Sequence, residues 1–331
     1  MNRLILTVAA VLALALTGCT SATAPTSPAG LATPTIGLTY IPNVQFSPFY
    51  VAQTDGAYTK AGVNPTLRHH GVSEGLFTAL VAGSEQFVVA GGDELLQARS
   101  QGMDLIAVAS YYHAYPVQII VAQGSPIASL ADLKGHTIGL PGKYGESWFA
   151  LLVALRSAGL TEADVTIKEI GYTQVAALST GKVDAIVGFS NNDAVQFGLA
   201  GTAIRSLPIA SGTVPLVPAS LITTTAYANA HPDVVKAVVA ATMTGISSVV
   251  ADPAHALQVS ANFVPDLSTS AGTKAAQATL VATAKLWTTT AGKVDATLDT
   301  QQWTAMADFM AQQKLTATRQ DPNLAMSNAF H

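Results

Sequence analysis

The chain has 331 residues and one cysteine, Cys19. That scarcity excludes an internal disulfide and any cysteine-rich iron motif. Charge is also sparse. Charged side chains make up 11% of the residues, against about 25% in an ordinary soluble domain. The formal charge is −4, with 16 basic and 20 acidic residues, and no basic stripe offers a footprint for nucleic acid. Beyond the N-terminal segment, no uninterrupted apolar run reaches the roughly 18 residues of a membrane span. The seven histidines form no H-E-x-x-H pattern and no close pair on one face. His69 and His70 are adjacent in a strand-like run, so their side chains point to opposite sides. No Gly-x-x-x-x-Gly-Lys-Ser/Thr loop and no Gly-x-Ser-x-Gly elbow occurs. Neither a metal nor a cofactor is expected.

What is present begins at the N-terminus. Arg3 precedes the apolar run Leu4 to Leu16, as in a secretory signal. The run ends in Leu16-Thr17-Gly18-Cys19, which resembles the lipobox of bacterial lipoproteins. The resemblance implies a signal peptide over 1–18 and lipidation at Cys19. The product would be exported and lipid-anchored on the outer face of the cytoplasmic membrane, where two or more acyl chains give stable anchoring. Residues 19–34 are mostly Thr, Ser, Ala, Pro and Gly without charge and read as a flexible tether. About 300 residues remain, enough for two lobes.

From Thr35 onward, strand-like and helix-like segments alternate. Thr35 to Tyr40, Glu85 to Ala90, Leu105 to Ser110, Val117 to Ala122, Thr137 to Leu140, Val165 to Ile170, Val183 to Phe189 and Ala219 to Thr225 read as strands. Pro48 to Lys60, Glu94 to Ser100, Trp148 to Gly159 and several segments after His231 read as helices. This βαβ alternation predicts an α/β protein with mostly parallel sheets and helices on both sides.

Open α/β sheets place ligands beyond the carboxyl ends of their strands. The loop after Tyr40 puts Asn43, Gln45, Phe46 and Ser47 there, with Tyr50 one turn on: amides, rings and a hydroxyl, but no nucleophile. Phe46 and Tyr144 are the favoured stacking rings, since a flat heterocycle between two rings gains about 0.5–1.5 kcal/mol per aromatic pair beyond burial. Of Tyr111, Tyr112 and Tyr115, at least one is expected in the cleft. Asp93 follows two glycines at a strand-to-helix turn and reads either as an N-cap or as a ligand contact. The loop Lys143-Tyr144-Gly145-Glu146-Ser147, entering a helix at Trp148, lies where helix N-termini attract anions or carbonyls. Asn191 and Asn192 end a strand and read as hydrogen-bond donors to a ligand or as a plain turn.

Five stretches resemble the type II periplasmic solute-binding proteins related to thiamine-pyrimidine synthases. They are Pro42-Asn43 through Ala52 with Gly56-Ala57-Tyr58 and Ala61-Gly62-Val63; Phe87 to Asp93; Leu130 to Gly139; Ala177 to Ala185; and Asp252 to Leu257. The resemblance implies a two-lobed fold with two hinge crossings, near Val117 to Val121 and Val217 to Leu221. Lobe I would combine 35–117 with 220–331, and lobe II would span 122–216. Within the group the chain is most similar to riboflavin-binding and thiamine-precursor-binding lipoproteins of ABC importers, through Asn43-Val44-Gln45-Phe46, Gly92 to Arg99, Tyr115-Pro116-Val117 and Phe189-Ser190-Asn191-Asn192. The pyrimidine binders usually carry an acidic residue and a histidine where this chain has Val44-Gln45-Phe46.

The implied function is therefore non-enzymatic. A monomeric lipoprotein would capture a neutral heteroaromatic, riboflavin or a related vitamin, and deliver it to an ABC permease and its ATPase. A hydroxymethyl- or formylaminopyrimidine is the alternative cargo. An alkanesulfonate or nitrate would want cationic cleft residues, of which the loops offer mainly Lys143. A pyrimidine synthase would need the missing cysteines, and a sensory role would replace transport altogether.

Overall fold

The computed structural model describes residues 30–71, 74–209 and 214–331. Cys19, the signal segment 1–18 and the tether up to residue 29 lie outside them. Among the described residues, ten short strands form two five-stranded sheets. The first holds β1 (Thr35–Leu38), β2 (Thr66–His69), β3 (Phe87–Gly91), β4 (Leu105–Ser110) and, late in the chain, β10 (Ala219–Thr224). The second holds β5 (Val117–Ala122), β6 (Thr137–Leu140), β7 (Thr166–Glu169), β8 (Ala185–Phe189) and β9 (Ile204–Pro208). The strand orders are β2-β1-β3-β10-β4 and β7-β6-β8-β5-β9.

The two orders are the same plan used twice. In each sheet four strands share a direction, and one, β10 or β5, runs antiparallel to both its neighbours. Each antiparallel strand is the first that the chain makes after passing from one lobe to the other. It enters its sheet from the cleft, where the parallel strands leave, and so must run against them. Val117 accordingly pairs with Phe189, and Ala219 with Gly91. The carboxyl ends of the parallel strands and the amino ends of β5 and β10 thus converge on one space between the sheets.

The chain crosses between Ser110 and Val117 and returns between Pro208 and Ala219. Val117 to Val121 is a central strand of the second sheet rather than a crossing, because it pairs with β8 throughout and with β9 from Gln118 onward. The segment predicted as one helix from Pro48 to Lys60 is broken. The helix α1 (Ser47–Thr54) stops before Gly56, which adopts φ +74°, and a short turn Ala57–Lys60 follows. A left-handed residue ends a helix at little cost only when it lacks a Cβ.

Each lobe has an apolar interior. In the first, Ile36, Leu38, Phe87 and Val89 of the sheet meet Phe49 and Tyr50 of α1 and the Val235, Val238 and Val239 stripe of the long helix Pro232–Ala251. In the second, Ile119, Val121, Ile138 and Leu140 meet Phe149 and Leu155. Full burial of one such side chain contributes about 1.5–3 kcal/mol, so these layers hold the strand ends in fixed register around the cleft.

Candidate ligand-binding site

Strand ends from both sheets enclose a cavity of about 900 Å³, counting the space at its mouth. From the first lobe come Thr39 and Tyr40 after β1, Gln45 and Phe46 beyond them, Glu94 after β3, and Tyr111 and Tyr112 after β4. From the second come Pro141, Tyr144 and Glu146 after β6, Tyr172 and Gln174 after β7, and Phe189, Asn192 and Asp193 at the end of β8. Seven aromatic rings line the cavity: Tyr40, Phe46, Tyr111, Tyr112, Tyr144, Tyr172 and Phe189.

Local bonding explains how the first wall is held. Asn43 Oδ1 accepts the Gln45 N–H at 3.1 Å and caps the 3-10 turn Val44–Phe46. The Tyr111 hydroxyl donates to the Gln45 carbonyl at 2.7 Å. His69 faces the Tyr40 carbonyl through Nδ1 at 2.9 Å and the Tyr50 hydroxyl through Nε2 at 2.8 Å. The carbonyl can only accept, so Nδ1 carries the proton and Nε2 accepts from Tyr50. Burial, the leading cause, lowers the His69 pKa and favours that neutral ring. On the opposite wall the Tyr144 ring lies directly over Gly142, where a Cβ would stand 2.1 Å from a ring carbon. Only glycine leaves the ring room there.

The electrostatics are one-sided. Glu94, Glu146 and Asp193 line the cavity, and no lysine, arginine or histidine does so among the described residues. Glu94, third residue of helix α2 (Gly92–Ser100), accepts the Gly91 N–H at 3.0 Å. Burial pushes its carboxyl well up, and the Asp93 charge adds to this. Glu146 opens helix α3 (Gly145–Ser157) in the other lobe. Burial, then Glu94 and Asp93 facing it, push it up as well. Asp193 is raised to about 6 by burial, opposed by the Phe189 N–H that it accepts at 2.8 Å. Glu146 Oε1 and the Tyr144 hydroxyl are buried without a protein partner. Buried polar atoms without partners are costly, so both are positions where ligand hydrogen bonds are favoured. Glu94, pushed up to about 8, favours its protonated form near neutral pH and can then donate as well as accept; Glu146 is shifted in the same direction.

Of the residues singled out in the sequence, Gln45, Phe46, Tyr111, Tyr112, Tyr144, Gly145, Glu146, Ser147 and Asn192 line this cavity. The others lie elsewhere. Asn43 faces an outer groove. Ser47 is buried against the Ser260 hydroxyl at 2.7 Å. Tyr50 stacks on Phe263, with ring centroids 4.3 Å apart. Asp93 is buried outside the lining and accepts the Tyr115 hydroxyl at 2.8 Å. It is not the cap of α2, because the helix begins one residue earlier with Gly91 as its N-cap. Lys143 pairs with Glu162 at 3.7 Å and lies over the Trp148 ring at 5.1 Å, both outside the cavity. Asn191 Nδ2 donates to Thr283 Oγ1 at 2.9 Å, joining the second lobe to the helix Ser270–Trp287 of the first.

Sequence reasoning missed Tyr40 as a lining ring, together with Glu94, Tyr172, Gln174, Phe189 and Asp193. The strand-end rule that selected Gln45 and Phe46 marks Tyr172 and Gln174 equally, since they follow β7. Tyr40 and Tyr172 meet edge to face across the cleft, centroids 4.8 Å apart and planes at 76°.

The geometry has counterparts among known proteins. Residues 43–256 match the family described as NMT1/THI5 like. Over 347 aligned positions the chain is 31% identical to the riboflavin-binding protein RibY of Chloroflexus aurantiacus, covering 100% of this chain and 98% of that one. It is 25% identical to a formylaminopyrimidine-binding protein of Halalkalibacterium halodurans, over 69% of this chain and 70% of that one. In structure it is similar to the alkanesulfonate-binding protein SsuA of Xanthomonas axonopodis pv. citri bound to MOPS, with TM-score 0.67, 22% identity and coverage of 89% and 98%. That last likeness shows the shared periplasmic-binding-protein fold.

Proposed function

The chain belongs to the NMT1/THI5-like family, and from that premise we propose that it is the solute-binding component of an ABC-type importer. It is a binding protein and not an enzyme, as its riboflavin-binding and formylaminopyrimidine-binding relatives are named. In this reading it is exported, held on the outer face of the cytoplasmic membrane through a lipid at Cys19, and acts as a monomer. It captures an uncharged flat heteroaromatic, riboflavin or a closely related vitamin, between its lobes and hands it to the permease and ATPase.

The observation that carries the cargo is the seven-ring cavity with three carboxyls and, among the described residues, no cation. A sulfonate or nitrate placed there would lose its water and meet three carboxyls with no cation among the described residues to neutralise it, and an unpaired buried charge costs several kcal/mol. A flat neutral ring suffers no such penalty. It gains apolar burial and about 0.5–1.5 kcal/mol for each favourable ring pair. Its carbonyls and N–H groups can meet the Tyr144 hydroxyl and the carboxyls of Glu94 and Glu146, which both accept and donate when protonated. Of the lining residues, Gln45, Phe46, Tyr112, Tyr144, Glu146 and Asn192 are assigned direct contact.

A second reading has its own observation. The amino group of a thiamine pyrimidine precursor also suits a carboxyl-lined pocket, and a relative is named for formylaminopyrimidine. Titration of the purified protein with riboflavin, an aminopyrimidine, thiamine and an alkanesulfonate separates these readings. Quenching of flavin fluorescence at sub-micromolar protein supports the first and aminopyrimidine binding alone the second. Binding of the alkanesulfonate alone would overturn both.

A further inference from the structure

The cavity does not end at its aromatic mouth. Tyr40, Tyr172, Gln174, Asn192 and Asp193 line it and also line a second, outer groove of about 1,460 Å³, counting its open side. The groove runs from the loop after β1 to the 3-10 turn Pro265–Ser268 and the helix Ser270–Trp287. Its chemistry differs from that of the cavity. Amides and hydroxyls (Asn43, Thr173, Gln196 and Thr279 among them) alternate with small apolar side chains. The charged groups lining it are Asp193 and Asp266, and no lysine, arginine or histidine lines it among the described residues.

We propose that the groove is a second subsite, and that the ligand class is a flat ring bearing an uncharged polyhydroxylated chain. The ring occupies the cavity. The chain passes beside the Tyr40–Tyr172 pair, along Gln174 and Asn192, which line both spaces, and its hydroxyls exchange hydrogen bonds with the groove's amides and hydroxyls. A terminal phosphate on that chain is rejected. It would enter a space that holds two carboxylates and offers no cation, and a hydrogen-bonding site discriminates more sharply against a wrong charge than against a missing methylene. The inference rests on the flavin reading above and goes beyond it by assigning the groove and the excluded form.

Three flavins test it: riboflavin, lumichrome (the ring without its chain) and flavin mononucleotide (the same chain with a terminal phosphate). Isothermal titration at fixed salt should give riboflavin at least tenfold tighter than either of the others. Equal affinity of lumichrome and riboflavin overturns the groove while leaving the flavin cavity standing. Equal affinity of riboflavin and the mononucleotide overturns the exclusion of phosphate. Binding of none of the three overturns the flavin reading and the subsite with it. Asp266 is exposed, so its side chain can be replaced without disturbing the core: Asp266→Lys should narrow the gap between riboflavin and the mononucleotide several-fold, and an unchanged ratio counts against the proposal.

Discussion

Tyr144 shows how one side chain takes on a role through its neighbours. Its extended backbone and the bare Cα of Gly142 press its ring against the loop, and its hydroxyl is left without a partner. Tyr144→Ala should weaken riboflavin binding about tenfold or more, the equivalent of roughly 1.4 kcal/mol, with little change in the thermal unfolding midpoint. Gly142→Val should produce a similar loss of affinity in the same titration, because the added methyls occupy the place of the ring. Rings and amides near the cleft were legible one residue at a time, but which of them face it was not. Tyr50 and Lys143 belong to the same strand-end segments as Phe46 and Tyr144. They point away because Tyr50 is captured by His69 and Phe263, and Lys143 by Glu162 and Trp148.

At the scale of elements, the contact between the end of β8 and the helix Ser270–Trp287 holds the lobes together. Thr283 Oγ1 accepts from Asn191 and donates to the Thr279 carbonyl at 2.7 Å. Thr283→Val keeps the shape and removes the acceptor, leaving a buried amide N–H unpaired at a cost of about 1–3 kcal/mol. Stopped-flow measurement should show ligand release accelerated several-fold, with the association rate nearly unchanged. Strand and helix positions were readable from alternation because the strands are short, apolar and bounded by glycine. The antiparallel course of β5 and β10 was not, because direction depends on which lobe the chain has just left. The break at Gly56 was hidden because the apolar spacing continues across it.

At the scale of the whole molecule, Glu94 and Glu146 set the pH response, since both are raised chiefly by burial and Glu94, from the other lobe, raises Glu146 further. A carboxyl whose folded pKa exceeds its unfolded value keeps a proton in the fold that the unfolded chain has released. It therefore stabilises the fold most at low pH and loses that contribution as pH rises through the folded value. The unliganded protein should show a falling thermal midpoint from about pH 5, just above the ordinary carboxylate range, toward pH 8. Glu94→Gln with Glu146→Gln should flatten the slope. A midpoint that rises over that interval in the unaltered protein would contradict the buried pair. The two-lobed α/β plan was legible because five stretches fall in order between Pro42 and Leu257, whereas the absence of a cation among the described lining residues of the cleft emerges only once both sheets face each other.

The central claim is that this cleft carries a flat, uncharged heteroaromatic. Native mass spectrometry of protein purified from its own host without added ligand tests it most directly. The account predicts one heteroaromatic molecule per chain, with the mass and absorption spectrum of a flavin. A sulfonate or other small anion as the bound species would contradict it.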